Sequence, residues 1–190
     1  MNYTHHINLF QKDFEKLPTK EDLQHIIDLV ASHDRVIFCT MGKSAFACRK
    51  VVYTARSFGL NWHDLDVCHA FHGDAGIIKE GDLLVLVSKS GQTEETVRVA
   101  KYFSKWTKVS ITSNKESDLD AACEQAVTIP VQNEGSPFGL SPMISTTLYM
   151  LSLYGILSEV IHKKGLSVND FARNHPGGSI GKILKEMETK

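Results

Sequence analysis

The sequence predicts an α/β fold in which helices cover both faces of a parallel β-sheet. Segments with strand character alternate with segments of helical spacing along most of the chain. Continuous apolar runs among these segments, such as residues 83–87, are typical of strands that are buried on both faces. A chain of 190 residues is long enough to bury one such domain and too short for two full ones.

The apolar spacing places the elements in order. The first predicted helix covers 17–32, with Thr19 as its N-cap and one apolar face made of Leu23, Ile26, Ile27 and Val30. The predicted strands lie at 35–40, 66–68, 83–87, 108–112 and 126–131. A second helix follows a turn at 41–44 and ends near Gly59, and further helices are predicted at 94–104, 117–123, 142–161, 168–173 and 180–186.

Composition and charge indicate an ordinary soluble protein. The chain is 42% hydrophobic and 23% charged, and its formal net charge of -1 gives no reason to expect nucleic acid or a membrane surface as a partner. The N-terminus lacks a signal-peptide pattern, and no apolar stretch approaches the roughly 20 residues that span a bilayer. The four cysteines form no CxxC pair, so we expect reduced thiols in a cytoplasmic protein.

The segment Ser88-Lys89-Ser90-Gly91-Gln92-Thr93 is the most informative motif, because it joins a buried strand to a helix. Its hydroxyls are expected beside the first unpaired N–H groups of that helix, where the helix dipole favours a bound phosphate. The sequence contains neither GxxxxGK[ST] nor GxGxxG, so the phosphate is expected on something smaller than a nucleoside triphosphate or a dinucleotide. The alternative is a capped helix whose serines bond only their own backbone.

A second turn at a strand end carries a lysine. Gly42-Lys43-Ser44 follows the strand at 35–40 and opens a helix. Ligands of parallel sheets bind beyond the carboxyl ends of the strands, so Lys43 is expected at the mouth of the site. There its ammonium could hold a phosphate or stabilise an oxyanion on a substrate carbonyl. An ordinary surface lysine at a helix start is the alternative.

Three further loops carry groups capable of acid–base chemistry. His72 lies in a glycine-containing turn and either faces a ligand or caps the turn. Glu134 lies just past the last strand, where a carboxylate can act as a general base or be a solvated loop residue. Ser141 is the expected cap of a helix that begins at Pro142. His175 precedes a proline and two glycines, a tight turn that either approaches a ligand or joins two short helices.

Glu95 lies in the helix after the phosphate-type loop. A carboxylate there also has the simple role of favouring the helix N-terminus electrostatically. The histidines show no local ligand spacing such as HExxH, so no metal is expected.

Together these stretches resemble the sugar isomerase (SIS) family, and most closely its arabinose-5-phosphate isomerases. The matching stretches are MGKSAFACRK, HGDAG, SKSGQTEET, EGSPFGLSPMISTTL and NHPGGSIGKIL, in the family's order between Val36 and Leu184. The lysine turn and the serine-rich loop are shared widely among sugar-phosphate binders. The combination of the other three stretches is much more specific.

The resemblance implies a three-layer αβα sandwich with a five-stranded parallel sheet. It implies a single SIS domain over residues 1–190, with its core at about 34–185 and without the CBS domains of longer members. The implied reaction converts D-ribulose 5-phosphate into D-arabinose 5-phosphate through an enediol and supplies the acid sugar Kdo for lipopolysaccharide or capsule. No cofactor is required, and a cytoplasmic homotetramer is expected.

The family's functional positions fall on identifiable residues of this sequence. The expected catalytic residues are Lys43, His72, Glu95, Glu134 and His175. In this scheme Glu134 or His175 transfers the proton and Lys43 stabilises charge. The expected substrate-binding residues are Gly42, Ser44, Ser88, Ser90, Gly91, Gln92 and Thr93. Gln92 stands where many relatives have glutamate and Lys89 where many have asparagine, so the substrate could differ from that of the relatives.

Two other functions stay open at this point. One is an isomerase of another sugar phosphate, such as a hexulose or sedoheptulose phosphate. The other is a non-catalytic sugar-phosphate sensor, since SIS domains also occur in regulators.

Overall fold

Five parallel strands form the centre of the computed structural model, which describes residues 2–188. The strands are β1 (Arg35–Thr40), β2 (Asn61–Asp66), β3 (Leu83–Val87), β4 (Lys108–Thr112) and β5 (Gln125–Thr128). They lie in the order β2-β1-β3-β4-β5, with parallel pairing between neighbours. The predicted five-stranded parallel α/β fold is therefore confirmed. Met1, Thr189 and Lys190 of the predicted 1–190 domain lie outside the described residues.

Helices cover both faces of this sheet. They are α1 (Tyr3–Phe14), α2 (Lys20–Ser32), α3 (Gly42–Ser57), α4 (Val67–Ala70), α5 (Glu94–Tyr102), α6 (Asp118–Ala121), α7 (Ile144–Lys163), α8 (Val168–Arg173) and α9 (Gly178–Glu188), with a 3₁₀ turn at Asp74–Ile77. Alternate residues of β1 point to opposite faces, so Val36 and Phe38 join the apolar cluster under α2, α3 and α7. Ile37 and Cys39 join the cluster under α4, α5 and α6. The three-layer αβα arrangement follows.

Most predicted elements have a counterpart within a few residues. As predicted, α2 begins after Thr19, whose hydroxyl accepts the Asp22 N–H at 3.3 Å in a capping box. The predicted strand at 66–68 is wrong. The strand lies at Asn61–Asp66, and Val67–Ala70 form a short helix capped by the Asp66 carboxylate. Because β2 is an edge strand with several exposed or half-exposed side chains, it lacks the apolar run that marks the central strands.

Helix α1 has no counterpart among the predicted elements. Its sequence is largely polar, but Leu9 and Phe10 pack against the core. Asp13 is buried, and its carboxylate accepts the Gln132 N–H at 2.9 Å. Together with α2, this helix precedes residue 34 and contributes apolar side chains to the core.

Of the described residues, only those of α7 form a helix that is long and apolar enough to cross a membrane. By length and composition, the expectation that no such segment exists is therefore wrong. Half of its most apolar window is buried, and α7 packs against α2 and α3. A role as the central core helix accounts for its apolar sequence.

The four cysteines are free thiols. Cys39 and Cys48 are buried, and burial raises the pKa of Cys48 to about 12. Both thiols stay protonated at neutral pH and serve as small apolar core residues.

Asp13→Ala should destabilise the protein, because the Gln132 N–H loses its acceptor and α1 loses its polar anchor. Leaving such a group without a partner costs about 1–3 kcal/mol in free energy of unfolding, which urea denaturation can measure. Glu15→Ala changes an exposed carboxylate at the end of the same helix and should alter stability by less than about 0.5 kcal/mol. Equal effects of the two substitutions would show that Asp13 does not anchor α1.

Candidate active site

The loops that follow the strands meet at one edge of the sheet, because all five strands run in the same direction. The chain order reverses between β1 and β3, which are neighbours at the centre of the sheet. In open sheets of this kind, the crevice at such a switch point is where ligands bind. The turn that carries Lys43 and the loop at 88–93 flank this crevice.

Hydroxyl groups fix the shape of the loop at 88–93. The Ser88 side chain is buried, and its hydroxyl is hydrogen bonded to that of Thr93 at 2.8 Å. Ser88 Oγ also accepts the Gly91 N–H at 3.2 Å, and Ser90 Oγ accepts the Gln92 N–H at 3.1 Å. The two serines thus bond their own loop, as the alternative interpretation expected. Thr93, however, makes no side-chain hydrogen bond to the N–H groups of α5, so it leaves them available to an anion.

The segment after β4 holds this loop in place. Three carbonyl groups of the loop accept hydrogen bonds. The Lys89 carbonyl accepts the Ser113 N–H at 2.9 Å, and the Ser90 carbonyl accepts Asn114 Nδ2–H at 3.1 Å. The Gly91 carbonyl accepts the Leu119 N–H at 3.0 Å. In the amide orientation that satisfies both of its polar groups, Gln92 donates to Asp118 Oδ2 at 2.9 Å and accepts the Asp118 N–H at 3.3 Å. The loop is therefore preorganised by its backbone and by α6.

Lys43 lies in the first turn of α3 and is exposed. It lines a groove of about 380 Å³ with Phe46 and Ala47 of α3 and with residues around the start of α7, which are Pro142, Thr146, Thr147 and Met150. Among residues 2–188 no carboxylate forms an ion pair with Lys43, so its ammonium can contact a ligand. Gly42 before it has open space around its Cα, and Ser44 after it is half-buried.

Glu134 is 1% exposed, so it is not the solvated loop residue of the alternative interpretation. Its Oε2 atom accepts three backbone N–H groups, from Met143 at 3.0 Å, Ile144 at 3.1 Å and Ser145 at 3.0 Å. The carboxylate therefore caps α7, which begins at Ile144 and not at the predicted Pro142 with Ser141 as its cap. A charged carboxylate accepts more of the helix's N–H groups than a serine hydroxyl can. Its negative charge also interacts favourably with the positive end of the helix dipole.

The second oxygen of Glu134 faces the loop at 88–93. Oε1 lies 2.6 Å from Lys89 Nζ, and the lysine side chain is partly exposed. Burial raises the pKa of the Glu134 carboxyl, but Lys89 and the hydrogen bonds from Ser145 outweigh burial and hold that pKa below its ordinary value. Glu134 is therefore ionised at neutral pH.

Glu95 and His72 lie on the opposite face of the sheet from Lys43. Glu95 is exposed in the first turn of α5 and is near α4. Desolvation and Asp66 raise the pKa of Cys68 in α4, and the Glu95 charge adds to that rise. His72 is also exposed. Its neighbour Phe71 packs against Arg98 and Tyr102, one and two turns beyond the start of α5. The turn that carries His72 therefore packs along α5 beyond its first turn.

His175 lies at the other end of the molecule. Asn174 donates to the Ser57 carbonyl at 3.3 Å, at the C-terminus of α3, whereas Lys43 is at its N-terminus. Ser57 lies 14 positions after Lys43, a separation of about 21 Å along the helix. The His175 ring stacks on Phe171 at 3.9 Å, and its Nδ1–H donates to the Phe171 carbonyl at 2.9 Å. That bond leaves Nε2 of the neutral ring free as an acceptor.

The structure thus brings together one part of the predicted site. Glu134 contacts the loop at 88–93 through Lys89, and Lys43 lines the groove at the start of α7. Glu95 lies in the first turn of α5, directly after the loop, whereas the segment that carries His175 packs at the far end of α3. Lys89 was not predicted as a site residue, although its place inside the serine-rich loop was a usable signal. Within residues 2–188, no three His, Cys, Asp or Glu side chains are grouped so as to hold a metal ion.

Comparison with known proteins gives consistent matches. The SIS domain family matches residues 29–159. The chain is 35% identical over 164 residues to arabinose 5-phosphate isomerase KpsF of Escherichia coli O6:H1 (strain CFT073). This aligned region covers 85% of this chain and 50% of that protein. It is 33% identical over 158 residues to arabinose 5-phosphate isomerase KdsD of Pseudomonas aeruginosa. That aligned region covers 82% of this chain and 48% of the relative. The chain spans about half the length of the curated relatives it matches.

A solved structure shows the same fold. The structure of E. coli CFT073 c3406 in complex with arabinose 5-phosphate is 27% identical in sequence and superposes with a TM-score of 0.85. The match covers 93% of this chain and 100% of that chain.

Gly91→Ala should distort the phosphate-type loop. Gly91 has a φ of +65°, and a Cβ there would overlap the Ser117 side chain. The combined strain and overlap should lower the free energy of unfolding by about 1–3 kcal/mol and weaken binding of inorganic phosphate. Gly76→Ala is the matched control, because that glycine has open space and no positive φ. Unchanged stability and phosphate affinity in Gly91→Ala would mean that the loop does not need its present shape.

Proposed function

The chain belongs to the SIS-domain family, and on that basis we propose that it is a sugar-phosphate isomerase that interconverts D-ribulose 5-phosphate and D-arabinose 5-phosphate. One arrangement carries this proposal. An anion-type loop, a buried carboxylate and a lysine without an ion-pair partner among residues 2–188 lie in loops and helix starts at the carboxyl edge of the sheet. The names of the relatives KpsF and KdsD support the choice of substrate.

In this proposal the phosphate of the sugar binds the loop at 88–93. Ser88, Ser90 and Thr93 supply hydroxyls, and the first N–H groups of α5 supply donors at the positive end of the helix dipole. Gly42, Ser44, Gly91 and Gln92 border the same crevice. The sugar chain then extends toward Lys43 and the start of α7.

The reaction moves a proton between two neighbouring carbons. A base removes the C2 proton of the aldose, the C1–C2 double bond of an enediolate forms, and negative charge develops on O1. Lys43 stabilises that charge. Return of a proton to C1, with transfer of the O2 proton to O1, gives the ketose. Oxidation of C2 and reduction of C1 balance within one molecule, so the step needs no redox partner.

The structure favours His175 over Glu134 as the group that transfers the proton. Glu134 uses Oε2 to cap α7, is almost fully buried and is held as a weak base by its partners. The Nε2 atom of His175 is free to accept a proton. Because His175 lies far from Lys43 of the same chain, it would have to come from a partner subunit, as a homotetramer allows. Glu95 and His72 would then position substrate hydroxyls.

We place this activity in the cytoplasm, in agreement with the four free cysteines. The resemblance to the arabinose-5-phosphate isomerases supports a role in supplying Kdo synthesis for lipopolysaccharide or capsule. The domain predicted around 34–185 would supply the isomerase site.

Lys43→Met should lower kcat/KM for D-ribulose 5-phosphate by about 100-fold or more, since the oxyanion loses its charge partner. The melting temperature should stay unchanged because Lys43 is exposed. Lys101→Met replaces an exposed lysine in the last turn of α5 and is the matched control. D-arabinose 5-phosphate formation is the readout, and activity of Lys43→Met within twofold of wild type would exclude Lys43 from the mechanism.

Lys43→Met and His175→Ala should complement each other in mixed oligomers. Each variant alone should be inactive, whereas random pairing of equal amounts should restore about a quarter of the wild-type sites if each site draws on two subunits. Co-refolding of the two purified variants and a product assay would measure the recovery. A mixture as inactive as its components would rule out a site that combines Lys43 of one subunit with His175 of another.

A further inference from the structure

The two oxygens of Glu134 have different surroundings. Oε2 accepts the three N–H groups at the start of α7. Oε1 is buried and has no aligned hydrogen-bond donor among the described residues, and its close contact is Lys89 Nζ at 2.6 Å. Oε2 therefore caps the helix, and Oε1 has only the Lys89 ammonium as its close polar contact among the described residues.

Few other charged or titratable groups face this carboxylate. Tyr149 of α7 is buried with its hydroxyl 2.6 Å from Ser113, and burial together with the Glu134 charge raises its pKa. On the N-terminal side, His6 of α1 donates from Nδ1 to the Gly135 carbonyl at 3.1 Å. Neither group forms an ion pair with Glu134. A carboxylate buried without a counter-charge is costly, so Lys89 is the counter-charge that, together with the N–H groups of α7, favours the charged form of Glu134.

Lys89 is itself fixed by the loop that it belongs to. Its carbonyl accepts the Ser113 N–H at 2.9 Å, and its neighbours Ser88 and Ser90 shape the anion-type loop. The ion pair therefore ties the loop after β3, on one side of the crevice, to the carboxylate that caps α7. The Lys43 groove lies along this same end of α7.

We propose that Lys89 is a positioning residue that keeps Glu134 ionised and oriented, and thereby holds α7 and the anion-type loop in register for catalysis. Lys89 acts through Glu134 and needs no contact with the reacting carbons. The structural part of this proposal stands without the proposed function, and only its catalytic consequence rests on that function.

A double-mutant cycle tests the structural part. Lys89→Met should raise the unfolding equilibrium constant by about tenfold or more in the wild-type background, where it leaves a buried charge unpaired. In the Glu134→Gln background the same change should raise it less than about threefold, because no charge is left to pair. The exposed pair Lys163–Asp28, at 2.7 Å, is the matched control, and its cycle should show little coupling. Equal effects of Lys89→Met in both backgrounds would overturn the proposal.

The pH dependence tests the catalytic part. The folded state holds the Glu134 pKa below its unfolded value, so this stabilisation is present above the unfolded pKa and is lost as pH falls through the folded pKa. Lys89→Met should shift the acid-unfolding midpoint and the acidic limb of kcat/KM to higher pH, with activity partly recovered on raising the pH. Lys89→Arg, which keeps the charge, should restore both toward wild type.

The outcomes separate the two proposals. An acidic limb that does not move, with activity reduced equally at every pH, would contradict positioning of Glu134 for catalysis. A wild-type protein that is inactive on sugar phosphates but shows the stability coupling would reject the proposed function and support the pairing of Lys89 with Glu134.

Discussion

A buried carboxylate at the N-terminus of α7 determines how the parts of the site fit together. Glu134 lies ten residues before the helix that it caps, so the intervening loop must fold back for Oε2 to reach three backbone N–H groups. The helix dipole and the Lys89 ammonium both favour the charged form. Without them, burial would favour the neutral acid. A neutral carboxyl group would interact more weakly with the N–H groups of α7 and with the Lys89 ammonium. The loop after β5, the long core helix and the loop after β3 are thereby linked through one side chain.

The parallel sheet explains why these loops are neighbours. Parallel strands place all their carboxyl ends at one edge, and the order β2-β1-β3-β4-β5 opens a crevice between β1 and β3. Lys43 and the loop at 88–93 reach this crevice directly. The same topology sends α3 back to the opposite edge, and α8 and His175 pack there. A single chain therefore presents an anion-type site and a histidine with a free Nε2 atom at opposite ends, an arrangement that suits an assembly of subunits.

Local patterns predicted the central strands well, because β1 and β3 are almost entirely buried and form almost continuous apolar runs. β4 is equally buried, although its sequence mixes apolar and polar residues. Local patterns misplaced β2, an edge strand, and they missed α1, whose anchor Asp13 bonds Gln132 far along the chain. The candidate site residues came from motifs at strand ends. Their partners did not, because the contact between Glu134 and Lys89 joins residues that are 45 positions apart. The separation of His175 from Lys43 likewise depends on tertiary packing, which no local spacing encodes.

The most direct measurement follows the C2 proton of D-arabinose 5-phosphate in D₂O by NMR with catalytic amounts of the protein. Enediol chemistry at the crevice predicts that the C2 proton signal decays as deuterium enters the sugar and D-ribulose 5-phosphate appears. A sugar phosphate that binds and causes shifts in the spectrum of the protein, but keeps its C2 proton and yields no ketose, would contradict isomerisation of this substrate. That result would leave either a different sugar phosphate as the substrate or a site that binds without catalysis.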